Sequence, residues 1–141
     1  MTHEERIGEI LRRHDGRKGA LLPILNDVQA ELGHVPADAV PLIAEALNLS
    51  RADVHGVVTF YHDYKRVPAD RPVVKLCRAE ACKARGVEAL IPAAEQAAGE
   101  RVKLSTVYCL GLCSAGPAAR VGDRLHARLD AAGLAQVIEN A

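Results

Sequence analysis

Residues 73–113 read VVKLCRAEACKARGVEALIPAAEQAAGERVKLSTVYCLGLC, and the fold turns on this stretch. Val73 to Leu76 is a short apolar, β-branched run and predicts a strand. Val87, Leu90, Ile91, Ala94 and Ala98 then recur at helical spacing up to Gly99, and Val102 to Tyr108 predicts a second strand. Strand, helix and strand in succession make a βαβ unit. Its crossover is right-handed in nearly all proteins, so the two strands are expected side by side and parallel.

The four cysteines of the chain follow these two strands: Cys77 and Cys82 after the first, Cys109 and Cys113 after the second. Parallel neighbours end at one edge of a sheet, so the four thiols are expected to meet there. The N-terminus, MTHEERIGEILRRHDGRK, is charged and amphipathic and does not read as a signal peptide. A cytoplasmic location and reduced thiols are therefore expected, which makes the cysteines candidate metal ligands. A tetrathiolate set accepts zinc or an iron-sulfur cluster. The spacings here are C-x4-C and C-x3-C, longer than the C-x2-C knuckles of most structural zinc sites, and they suit a two-iron cluster. One natural division gives Cys77 and Cys82 to one iron and Cys109 and Cys113 to the other. Metal-free buried cysteines and a zinc-stabilised adaptor are the alternatives. A thiol-disulfide enzyme needs C-x-x-C at a helix start, and the chain has no such motif.

Charge around the cysteines fits an anionic group. A 2Fe-2S core with four thiolates is an anion that gains further negative charge on reduction. A helix starting near Cys82 would point its positive end at it. Lys75, Arg78, Lys83 and Arg85 flank the cysteines, and Arg78 is expected to favour the reduced state. From Ala69 onward the chain has 10 basic and 8 acidic residues.

On the N-terminal side, four amphipathic segments are expected. Thr2 to Glu5 fits a capping box ahead of Ile7, Ile10 and Leu11, and Leu21, Leu25, Val28 and Leu32 form a second helix stopped by Gly33. Val40, Ile43, Ala44 and Leu47 form a third, with Pro41 in its first turn or kinking it. Ser50 to Asp53 opens a fourth, carrying Val54, Val57, Val58 and Tyr61. The stretch Val67-Pro68-Ala69-Asp70-Arg71-Pro72 suits a linker. On the C-terminal side, Gly122-Asp123 joins Ala118 to Val121 and Arg124 to Leu129 as a hairpin, and Leu134, Val137 and Ile138 close with a helix. The expected class is α+β: a small helical bundle over 1–66, then a thioredoxin-like α/β domain over 67–141, with a four-stranded mixed sheet between helices.

The 141 residues carry 18 basic and 18 acidic side chains and no Trp, which argues against nucleic acid as a partner. No apolar run reaches the ~20 residues of a membrane span, so direct membrane insertion is not expected.

The C-x4-C pair, CLGLC, the preceding GVVTFY (Gly56 to Tyr61) and the N-terminal helices together resemble the thioredoxin-like 2Fe-2S subunit family. That family is shared by NADH:quinone oxidoreductase, where it is the 24 kDa subunit type, by NAD-reducing hydrogenases and by NAD-dependent formate dehydrogenases. The likeness covers nearly the whole chain, and the four cysteines map one for one. Respiratory members usually carry Gly-Thr in the first cysteine loop and Ala-Pro after the last cysteine. Here Arg78-Ala79-Glu80-Ala81 and Gly116-Pro117 stand instead. YHDYKR and KLCRAEACK look most like the gamma subunit of the molybdenum-containing formate dehydrogenase.

The resemblance implies one 2Fe-2S cluster on Cys77, Cys82, Cys109 and Cys113 and one-electron transfer within an oxidoreductase complex. FMN and NAD would then sit in a flavin/NAD-binding partner, and a molybdenum cofactor in a catalytic one; in the respiratory alternative the catalytic partner is on the quinone side. The chain shows no P-loop, no G-x-G-x-x-G and no nucleophile-base pair, so no catalytic site of its own is expected. Phe60, Tyr61 and Tyr64 form an aromatic cluster that either anchors a partner or packs the bundle against the sheet domain. His55 and His62 would matter only in a Rieske-type site, which four cysteines make unnecessary, and His126 has no indicated role.

Overall fold

The computed structural model describes all 141 residues, as two compact units, Met1–Ala69 and Asp70–Ala141. The first unit holds four helices: α1 (His3–Arg13), α2 (Leu21–Leu32), α3 (Ala39–Leu47) and α4 (Arg51–Phe60). Two of them start on capping boxes. Thr2 Oγ1 accepts from the Glu5 N–H at 3.2 Å while the Glu5 carboxylate accepts from the Thr2 N–H at 2.7 Å, and Ser50 and Asp53 repeat the exchange at α4. Pro41 lies in the first turn of α3, where its missing N–H would have had no intrahelical partner. Gly33 ends α2 in the left-handed conformation. Ile7, Ile10, Ile24, Leu25, Val28, Ile43 and Val54 are fully buried and form this unit's core.

The second unit is β1 (Val73–Cys77), α5 (Glu80–Ala84), α6 (Val87–Ala98), β2 (Lys103–Val107), β3 (Ala119–Val121), β4 (Arg124–His126) and α7 (Ala131–Glu139). The sheet order is β2-β1-β3-β4. β1 pairs with β2 in parallel, Val73 opposite Lys103 through Cys77 opposite Val107; β3 is antiparallel to both β1 and β4. Val121 opposite Arg124 closes the two-residue hairpin turn at Gly122-Asp123. This is the α+β, thioredoxin-like arrangement with a four-stranded mixed sheet.

Two details differ from the sequence expectation. α6 and α7 pack against each other, so the two long helices share one face of the sheet instead of enclosing it. The pattern along β1 agrees: Val74 and Leu76 are buried while Lys75 between them is only partly so, as in a sheet covered on one face. The second difference lies after Cys77. Gly86, at φ +92°, breaks the helical run, so Cys82 sits inside the five-residue α5 and the long helix begins only at Val87. The long helix therefore does not direct its positive end from Cys82.

Val74, Leu76, Val87, Ala119, Leu134 and Ile138 make the core of the second unit. Leu134 on α7 is 1% exposed. Leu134→Ala is expected to cost about 2–5 kcal/mol, by lost transfer energy plus the cavity left behind. Chemical denaturation followed by circular dichroism measures it.

Candidate functional site

The parallel register delivers the cysteines. Cys77 is the last residue of β1 and lies opposite Val107, the last residue of β2, so the chain leaves both strands at one edge and meets Cys109 immediately. Two backbone bonds pin the first exit: the Cys77 N–H donates to the Ala118 carbonyl at 3.0 Å and the Arg78 N–H to the Val107 carbonyl at 2.9 Å. Cys109 adopts φ +98°, a conformation rare for any residue with a side chain. The next turn, with Gly111 at φ +77°, brings the Gly111 N–H to Cys109 Sγ at 3.3 Å. Cys113 then starts a single 3-10 turn, Cys113–Ala115.

The thiols stand in two pairs. Cys109 Sγ and Cys113 Sγ are 3.6 Å apart, and Cys77 hydrogen-bonds Cys82. The pairs differ in burial: Cys77 and Cys82 are each 2% exposed, whereas Cys109 and Cys113 are exposed. No three His, Cys, Asp or Glu side chains are arranged to hold a single metal ion. Four sulfurs about 2.3 Å from one zinc would have to close into one tetrahedron. Two separate pairs suit a centre with two metals.

Electrostatics separates the thiols. Burial pushes the Cys77 thiol up, but hydrogen bonds from the Ala79 backbone, the Cys82 side chain and the Cys109 and Leu110 backbones outweigh it and hold Cys77 below the ordinary thiol range. Cys82 is raised by burial and by its bond to Cys77, against a bond from the Ala118 backbone. Cys113 is raised chiefly by its hydrogen bond to Cys109. Backbone amides aimed at sulfur stabilise thiolate charge and tune a bound cluster.

Gly116 completes the cradle. A Cβ at this position would stand 2.9 Å from Cys82 Sγ, too close for any real contact, and 3.5 Å from Cys82 Cα. The only visible sequence signal for this role was a Gly-Pro pair just beyond the last cysteine. The roles of the Cys109 backbone and of Ala118 in shaping the site left no sequence signal.

The cations expected to favour the reduced cluster are not all free. Arg78 does not present a free cation: its guanidinium grips Glu88 with two bonds, at 3.0 and 2.6 Å, and holds that carboxyl below the usual range. Lys83 stands 4.0 Å from Glu80. His55 lies on α4 and His62 just beyond it, both in the helical unit.

The profile of the thioredoxin-like 2Fe-2S ferredoxin family matches residues 7–141. The chain belongs to that family. It therefore carries one 2Fe-2S cluster, and the residues at the sheet edge fit such a group: two thiol pairs, amides turned to sulfur, and a glycine at 116 that leaves room for the Cys82 sulfur. Among relatives, a subunit of the NADH-quinone oxidoreductase of Rhizobium meliloti (strain 1021) is 35% identical over 149 residues, covering 99% of this chain and 89% of that protein. The alpha subunit of the NAD-reducing hydrogenase HoxS of Cupriavidus necator is 30% identical over 135 residues, covering 89% of this chain but only 22% of the larger protein. Among solved structures, an NAD+-reducing NiFe hydrogenase in the H2-reduced state superposes with a TM-score of 0.70 at 25% identity. The superposition takes in 86% of this chain and 22% of the hydrogenase chain.

Gly116→Ala in this ferredoxin is expected to cost about 1–3 kcal/mol by overpacking against Cys82, and to lower the iron retained on purification. Gly56→Ala serves as its comparison. Gly56 lies in α4 with open space around it, so the change is expected to add up to about 1 kcal/mol of stability through helix propensity and to leave iron content unchanged. Iron assays and melting curves on the two variants check both outcomes.

Proposed function

We propose that Cys77 and Cys82 hold one iron of the 2Fe-2S cluster and Cys109 and Cys113 the other. On this reading the chain relays single electrons inside a cytoplasmic, NAD-dependent formate dehydrogenase complex. The observation that carries the ligand assignment is the pairing of the thiols at the ends of two parallel strands, with Cys109 and Cys113 at 3.6 Å. When bound, the cluster supplies a one-electron couple. The protein's own part is to orient sulfurs with backbone amides, to exclude water from the Cys77 and Cys82 side, and to leave the Cys109 and Cys113 side open to a docked redox centre.

Partners follow from the family. Relatives are named as subunits of NADH-quinone oxidoreductase and of an NAD-reducing hydrogenase, which supports a neighbour that binds flavin and NAD. The formate assignment, with a molybdenum-containing catalytic neighbour, rests on the likeness of YHDYKR and KLCRAEACK to the gamma subunit. A cytoplasmic site for the complex accords with the absence of any helix long and apolar enough to cross a membrane. Residues 1–66 are assigned to docking and 67–141 to cluster binding. Phe60 is 74% exposed, as an aromatic anchor for a partner would be, and its ring meets Tyr61 edge to face, while Tyr64 bonds Asn26 at 2.7 Å within the helical unit.

Two measurements test the proposal. Cys77→Ala and Cys113→Ala are each expected to lose most iron and acid-labile sulfide; full occupancy in either variant rejects that residue as a ligand. In the intact complex, formate and NADH should each bleach the visible absorbance of the cluster, while neither does so with the isolated chain. Bleaching by NADH but not by formate would assign the chain to a quinone oxidoreductase or hydrogenase instead.

A further inference from the structure

Four cations flank the cysteines in sequence, and the fold treats them differently. Arg78 is bound to Glu88, which offsets much of its field, and Lys83 stands 4.0 Å from the exposed Glu80. Lys75 points from β1, at a register position opposite Ser105 and Arg120. Arg85 closes the turn after α5 and forms no ion pair. Its stem reaches the cluster cradle: the position a Cβ would take at Gly116 lies 2.9 Å from Cys82 Sγ and 3.4 Å from Arg85 Cδ.

We infer that Arg85 tunes electron transfer: it is an unpaired cation that the fold holds beside the buried thiol pair, where it favours the reduced form of the cluster. The guanidinium, two bonds past Cδ, stands within roughly 9 Å of Cys82 Sγ, where a unit charge changes a redox equilibrium between about two-fold in bulk water and about twenty-fold at near-surface dielectric. The sign follows from charge alone. Reduction adds one electron to an already anionic centre, so a nearby cation stabilises the reduced state more than the oxidised one and raises the midpoint potential. Packing explains why the cation stays in place. With no side chain at Gly116, the Cδ of Arg85 comes close to the loop, while the residue as a whole is exposed to water.

The inference rests on the proposed cysteine ligands, and the test separates the two. Potentiometric titration of the isolated, cluster-loaded chain is run with Arg85→Met, which keeps an apolar stem without the charge, with Arg85→Gln as a second neutral variant, and with Arg85→Lys. Iron and acid-labile sulfide are assayed on every sample. Expected is full iron with a midpoint potential below wild type in both neutral variants, near-wild-type potential in Arg85→Lys, and a wild-type to Arg85→Met gap that narrows as salt rises. The double variant Arg78→Gln with Glu88→Gln, which removes one charge of each sign, should leave the potential nearly unchanged. An unchanged potential in a loaded neutral variant overturns the role of Arg85, as does an Arg85→Lys shift equal to that of Arg85→Met, which would mean packing and not charge. Full iron in the Cys77→Ala and Cys113→Ala chains would instead overturn the ligand reading beneath it.

Discussion

The parallel pairing of β1 with β2 is the constraint on which the site depends. Cys77 opposite Val107 sets the register, and a slip of one residue would turn Val74 and Leu76 out of the core and Lys75 into it. Because the core fixes the register, it also fixes how far Cys109 lies from Cys77. The cysteines are thus placed by hydrophobic burial elsewhere in the sheet. β3 secures the other flank, since the Ala118 carbonyl takes the Cys77 N–H and the Ala118 backbone also reaches the Cys82 sulfur.

Beyond the strands, backbone conformation takes over from side-chain packing. Cys109 at φ +98° and Gly111 at φ +77° form a tight loop whose amides turn inward to sulfur. Such a conformation costs a non-glycine residue on the order of 1–3 kcal/mol and persists where the surroundings over-determine it. Here the end of β2 and the 3-10 turn at Cys113 clamp the loop from both sides. Gly116 acts by having no side chain, so that loop and α5 approach until Cys82 Sγ occupies the space of a Cβ.

Periodicity and capping made most of the elements legible in the sequence. Thr2 with Glu5 and Ser50 with Asp53 announce helix starts through side-chain chemistry that acts within one turn, and Gly122-Asp123 announces the hairpin in the same way. The cysteine pairs and their common edge were equally readable, because strand order and crossover hand leave little choice. What escaped was tertiary or conformational. A helix from Cys82 into Val87 is compatible with the local pattern, and only the left-handed conformation of Gly86 divides it. The enclosing of the sheet by helices failed because no α-helix lies between β2 and β3, where one could have crossed to the other face. Arg78 reads as a free cation until the fold brings Glu88, ten positions on, against it.

That last pairing changes how the anion is stabilised. Mobile surface charges are screened over about 8 Å at physiological ionic strength, and a cation already bound to a carboxylate contributes little beyond that length. Amides fixed by strand register and by the Cys109 turn keep their orientation whatever the salt, and they require no counter-carboxylate. The chain is neutral overall, and the part from Ala69 onward, with 10 basic and 8 acidic residues, has only a small positive surplus to offer a cluster. Stabilisation of the buried sulfurs must therefore come from short-range dipoles, and any cation that adds to them has to be placed individually. This is why the unpaired Arg85, close to Gly116, carries more weight at the site than Arg78, which is nearer the cysteines in sequence but bound to Glu88.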